Sequence, residues 1–138
     1  MTMGQSNVWD LIQGNGQHKR SRRRHAKCAL TVATANGTTW STLFTYVRGL
    51  DKSILVVLGQ EHRLWDDQID DASLSALKSG WETFFSRSIP TDNSTSSGVV
   101  IFVRSFVECW YDGPSSEVVR GRGCTAVVNV GLWTVFMM

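Results

Sequence analysis

A chain of 138 residues, 42% hydrophobic and carrying six tryptophans, has the size and composition of one globular domain with a real core, which excludes a disordered chain. Its three cysteines (Cys28, Cys109, Cys124) are odd in number and form no C-x-x-C pair, which excludes a disulfide framework and a cysteine-rich zinc site. The net charge of +2 hides a split: six basic residues and one acid precede Cys28, whereas the rest of the chain holds eight basic and eleven acidic residues, a balance of −3.

Residues 1–27 show no sustained apolar period and are read as a flexible basic arm. Within it, Lys19, Arg20, Arg22, Arg23, Arg24 and Lys27 suit a nuclear-import signal, a phosphate-contacting arm for nucleic acid, or a solvated tail. The first fifteen residues lack the apolar stretch of a secretory signal. The longest aliphatic run, residues 54–58, is far short of the roughly 20 residues of a membrane span. The expectation is a nuclear or cytoplasmic protein, not secreted and without a membrane partner. Asn93-Ser94-Thr95 matches a glycosylation sequon and, without a signal, reads as a polar loop.

Residues 29–35 (ALTVATA) predict a strand that stops at a turn, Asn36-Gly37. Trp40, Leu43, Phe44, Val47 and Leu50 then share one stripe of an amphipathic helix, with Thr38 or Thr39 able to cap its start and Gly49 near its end. Residues 54–58 (ILVVL), apolar on both faces, predict a buried strand. Strand, helix and strand make a βαβ unit with parallel strands. Residues 65–79 predict a second helix, with Asp66 and Asp67 in its first turn, Lys78 in its last and Gly80 beyond. Its apolar side is Trp65, Ile69, Ala72 and Ala76. Strands are expected over 81–86, 98–103, 106–111 and 124–130, so the pattern is an α/β sandwich.

Asn36 closes the first parallel strand and Glu61 follows the second, at the carboxyl edge where open α/β sheets bind ligands. Neighbouring strands lie about 4.8 Å apart, close enough for two side-chain oxygens to share one ion. Hard oxygen donors with one carboxylate suit Mg²⁺, or Mn²⁺ in its place. Singly, Asn36 also suits a plain turn and Glu61 a solvated strand end.

The apolar strand ending in Asn36 (ALTVATAN) and the aliphatic strand ending in Gln60-Glu61 (ILVVLGQE) resemble the first two motifs of the endonuclease/exonuclease/phosphatase superfamily. Gly80-Trp81, Ser97-Gly98-Val99-Val100-Ile101 and Gly121-Arg122 are similar to three further strand entries of that family, in order, over roughly residues 28–131. The loop style looks closest to the endonuclease domains of non-LTR retroelements and their apurinic-endonuclease relatives. The resemblance implies an α/β fold, the N-terminal part of a four-layered sandwich of the DNase-I-like type. It implies a divalent-metal phosphodiesterase, with Asn36 and Glu61 in the metal-ligand roles and DNA as the expected partner.

The family's later Asp-x-Asn and Ser-Asp-His motifs are missing from this sequence, and His18, His25 and His62 all precede where a catalytic histidine would fall. No catalytic base is therefore assigned; general-base help of roughly 10²–10⁴-fold would be lost with it. The expectation is a truncated, retroelement-derived domain with residues 132–138 as a divergent tail, inactive alone and prone to self-association through exposed sheet. The alternatives are a non-catalytic nucleic-acid-binding module acting through the basic arm, and a phosphatase or lipid phosphodiesterase of the same superfamily. His62 beside Glu61 reads as a surface histidine or a phosphate-orienting group.

Overall fold

The computed structural model describes residues 30–129, together with the backbone of residues 2–7 and 133–137. The first parallel unit forms as its periodicity predicts. Strand β2 (Thr31–Asn36) leads into helix α1 (Trp40–Arg48), whose start is capped by the Thr39 hydroxyl accepting from Thr42 N–H at 3.3 Å. Gly49 ends the helix, and strand β3 (Val56–Gln60) returns parallel to β2 with Asn36 opposite Gln60. The α1 stripe works because Leu43 and Val47 are fully buried on it, each contributing roughly 1.5–3 kcal/mol by leaving water.

A 3₁₀ turn (Asp66–Gln68) opens into helix α2 (Ile69–Lys78), and Gly80, at φ +93°, makes the left-handed exit into β4 (Trp81–Ser86). A short ribbon, β5 (Ile89–Pro90) with β6 (Thr95–Ser96), precedes β7 (Val99–Arg104). Every residue of β7 from Val99 to Val103 is buried, as a strand covered on both faces requires. After β8 (Cys109–Trp110) and β9 (Glu117–Val119) come β10 (Gly123–Val128) and β11 (Trp133–Met137).

The main sheet runs β1-β2-β3-β7-β4, where β1 is Thr2–Asn7. One of its faces packs Ala33, Ala35, Val57, Trp81, Val100 and Phe102 against Leu43 and Val47 of α1 and Ala76 of α2. The other packs Val32, Val56, Phe84 and Ile101 against Cys124, Ala126 and Val128 of β10, the centre of the second sheet. The described residues are thus mixed α/β, with two α-helices, the main sheet and a smaller sheet in successive layers. At the end away from the carboxyl edge, the Arg104 guanidinium lies 3.9 Å from the Trp81 ring centre and donates to the carbonyls of Ile54, Leu50 and Asp51 at 3.0, 3.3 and 2.9 Å.

Four readings of the sequence need correction. Residues 2–7, assigned to the arm, form β1, antiparallel to β2; a backbone ladder needs no apolar period in TMGQSN to form. Residues 133–137, assigned to a divergent tail, pair with 124–128 of β10, as their β-branched and aromatic composition allows. Over residues 106–111 only Cys109 and Trp110 are strand, because Val107 N–H bonds back to Arg104 C=O at 2.9 Å and turns the chain, leaving Phe106 72% exposed. Trp65 lies outside the apolar side of α2, on the exposed lead-in, while Ala72 and Ala76 carry the buried stripe.

Candidate functional site

Strands β2 and β3 end side by side. Gly37 N–H donates to Gln60 C=O at 3.2 Å, one step past the Asn36–Gln60 pair. A Cβ on Gly37 would lie 2.5 Å from Leu43 Cβ, so glycine here lets α1 close onto the sheet. The Asn36 amide oxygen accepts from Thr38 N–H at 3.3 Å, a long bond within the turn. Alternation puts Asn36 on the face of Val32, the face that packs against the second sheet.

The same alternation along β3 would send Glu61 to the opposite, helix-covered face with Val57 and Gly59. Glu61 instead has φ +65°, a left-handed conformation rare for a residue with a side chain. Its carboxylate accordingly lines a cleft of about 280 Å³ with Gln60, Ser97, Gly98, Gly121 and Arg122. Val99 also borders this cleft and belongs to the core between the sheets, whereas Asn36, at the end of the neighbouring strand, is not among the residues that line it. Arg63 (φ +54°) and Ser97 (φ +63°) are left-handed too.

Such conformations cost on the order of 1–3 kcal/mol each and persist only where the surroundings over-determine them. Here the surroundings do. Glu61 and His62 N–H both donate to Gly98 C=O at 2.8 and 3.2 Å, and Arg63 N–H donates to Ser97 C=O at 3.1 Å. Between the two left-handed residues His62 turns inward, 1% exposed. Its Nδ1 accepts from Leu64 N–H at 3.0 Å, which leaves Nε2 to donate to Ser86 C=O at 2.8 Å. Burial pushes its pKa below the usual histidine value, against the opposing pull of the Ser86 carbonyl and Glu61. His62 is therefore a neutral anchor for the turn, neither a surface histidine nor a group free to orient phosphate.

The Glu61 carboxylate is used on one side only. Oε2 accepts from Arg63 Nε at 3.1 Å and from Ser97 N–H at 3.2 Å, while Oε1 receives no hydrogen bond among the described residues. No group of three or more His, Cys, Asp or Glu side chains is placed to hold a metal among the described residues. A divalent ion in this cleft would draw on the Glu61 carboxylate and water, with Asn36 at the end of the adjacent strand but outside the cleft lining. That donor set fits Mg²⁺, which keeps several waters and commonly takes only one or two carboxylates.

A larger cavity, about 730 Å³, opens beside Trp65, Asp67 and Asp71. It draws no residue from the carboxyl ends of β2 or β3, and the partly open carboxylate of Glu61 makes the smaller cleft the better chemical candidate. The basic cluster (Lys19, Arg20, Arg22, Arg23, Arg24, Lys27) lies outside the described residues, as do His18, His25 and Cys28. Of the two groups that fix the Glu61 carboxylate, Ser97 was named from sequence only as the start of a strand motif and Arg63 not at all, its one signal being its position two residues after Glu61. Burial pushes the Cys109 and Cys124 thiols up to about 11 and about 12, which leaves little reactive thiolate on either near neutral pH.

Compared with family models, curated proteins and solved structures, the chain gives no match. Among the described residues no helix is long and apolar enough to cross a membrane.

Proposed function

We propose that the chain is the metal-binding portion of a divalent-metal-dependent phosphodiesterase of the endonuclease/exonuclease/phosphatase type, with Asn36 and Glu61 as its metal ligands. The observation that supports this reading is the left-handed turn at Glu61, one residue past the strand that pairs with the strand ending in Asn36, with Oε2 held by Arg63 and Ser97 and Oε1 left open among the described residues. A strained backbone at a strand's carboxyl end is a feature that functional sites commonly hold. When bound, Mg²⁺ supplies Lewis-acid stabilisation of charge on a phosphodiester.

The chain's own residues supply position. Asn36 and Glu61 orient donors from adjacent strands; the Ser97 amide fixes Oε2; buried His62 keeps the turn in place. Arg122, exposed at the cleft, adds positive charge suited to a nucleic-acid backbone. The family's water-activating Ser-Asp-His motif is missing from this sequence. The activity expected of the chain alone is accordingly negligible, and the fold that goes with this reading is the N-terminal part of a DNase-I-like sandwich.

The test is plasmid nicking in Mg²⁺ buffer, paired with Mn²⁺ binding, for the full chain and Glu61→Ala. Mn²⁺ binding that Glu61→Ala removes, without nicking by either protein, is the expected result. Equal Mn²⁺ binding by both would overturn the metal assignment, and nicking that disappears in Glu61→Ala would overturn the claim of inactivity.

A further inference from the structure

We propose that Arg63 is a built-in counter-cation of the Glu61 site, competing with the metal for the carboxylate and so setting how tightly the site loads. The inference rests on the reading of Glu61 as a metal ligand and concerns how that site is regulated.

The arrangement comes from the backbone. Glu61 and Arg63 are both left-handed, at φ +65° and +54°, and they flank a histidine whose ring is buried. With His62 fixed inward by Leu64 N–H and Ser86 C=O, the side chains on either side of it emerge together at the surface. Their contact, Arg63 Nε to Glu61 Oε2 at 3.1 Å, closes over two residues, and the side chains stay 46% and 30% exposed. Amides of both Glu61 and Arg63 are held by the Ser97-Gly98 turn, so the pair forms on a prepared frame.

Its chemistry is that of a reversible occupant. Exposed ion pairs of this kind are weak and screened by salt, so a divalent ion can displace the guanidinium. The Ser97 amide, bonded to the same Oε2 at 3.2 Å, keeps the carboxylate oriented when Arg63 leaves. Oε1 offers the incoming ion its first contact. The guanidinium has no second carboxylate among the described residues, so displacement frees a positive charge beside the site rather than moving it to another fixed partner.

The experiment is Mn²⁺ binding to the full chain at low ionic strength, read from the free-Mn²⁺ electron paramagnetic resonance signal, for wild type, Arg63→Ala and Arg63→Lys. Arg63→Ala is expected to bind about two- to fivefold more tightly, matching removal of a weak exposed pair, and Arg63→Lys to stay near wild type. Equal or weaker binding by Arg63→Ala, or a lysine variant that behaves like alanine, would overturn the inference while leaving the metal site standing. Absence of Mn²⁺ binding in wild type and Arg63→Ala alike would overturn the metal reading and this inference with it. A second readout needs no variant: Mg²⁺ titration of wild type should move the Arg63 Nε–H resonance as its bond to Glu61 breaks, and an unmoved resonance at saturation would sink the proposal.

Discussion

Gly98 lies flat against the ring of His62: a Cβ at that position would sit 2.5 Å from Cε1 and Nε2, on a backbone held at φ +94°. The absence of a side chain is thus what lets the histidine enter the core, and the histidine in turn holds Glu61. Gly98→Ala should destabilise the fold by on the order of 2–4 kcal/mol, combining overpacking with left-handed strain. Urea unfolding of the purified variant measures it, and an unchanged midpoint would show that the ring has room to retreat.

His62 gives stability a pH dependence. Its folded pKa is below its unfolded value of about 6.5, so the unfolded chain binds more protons in between. The contribution is complete above about pH 6.5 and is lost as pH falls through the folded pKa. The wild type should therefore lose urea resistance on going from pH 7.5 to pH 5, with a slope approaching about 1.4 kcal/mol per pH unit for one proton. In His62→Gln that part of the slope should vanish; a variant as pH-sensitive as wild type would assign the effect elsewhere.

Trp81 is fully buried between Phe102 and the Arg104 guanidinium. Trp81→Ala should cost about 3–5 kcal/mol from lost contact and the cavity left behind. Arg104→Met, which keeps the stem and removes the three carbonyl bonds, should cost less, and differential scanning calorimetry on both variants would rank them.

Cys109 and Cys124 carry thiols raised by burial to about 11 and about 12. At pH 8 both should resist iodoacetamide in the folded chain and react after unfolding in urea. Peptide mapping reads the two sites separately, and rapid labelling of Cys124 in native buffer would mean that the contact between the sheets opens readily.

The face of the main sheet that meets β10 is not evenly covered. Val32 and Val56 are buried there, but Thr34 and Gln60 further along β2 and β3 are exposed, and Phe106, Val118 and Leu74 add exposed apolar surface elsewhere. Association that grows with concentration is the expected behaviour in analytical ultracentrifugation. A single monomeric species across the concentration range, with one sharp thermal transition, would count against it.

Much of the architecture was legible because local chemistry and tertiary packing agree over it. The stripe from Trp40 to Leu50, the Thr39 cap and the doubly apolar run before Gln60 each carry their own signal, and together they determine a parallel pair. β1 carried none: a short edge strand is made by a backbone ladder, and TMGQSN has no period to read. The position of Asn36 and Glu61 at neighbouring strand ends followed from the same reasoning. The direction of the Glu61 side chain did not, because it depends on a left-handed residue held by Gly98, 37 positions later in the chain, and by a buried histidine. Sequence reasoning put His62 at the surface for the same cause, since its burial depends on carbonyl and amide partners contributed by Ser86 and Leu64.

The clustering of left-handed residues around one cleft also bears on how the chain tolerates change. Glu61, Arg63, Ser97 and Gly98 all depart from ordinary backbone geometry within a single patch. Random substitution in most surface loops is nearly silent, but in this patch it falls on backbone that Gly98 and buried His62 hold in place. A library selected only for soluble expression would therefore still retain His62 and Gly98, whereas Asn36 and the Glu61 carboxylate, whose proposed role is in binding, would be free to drift.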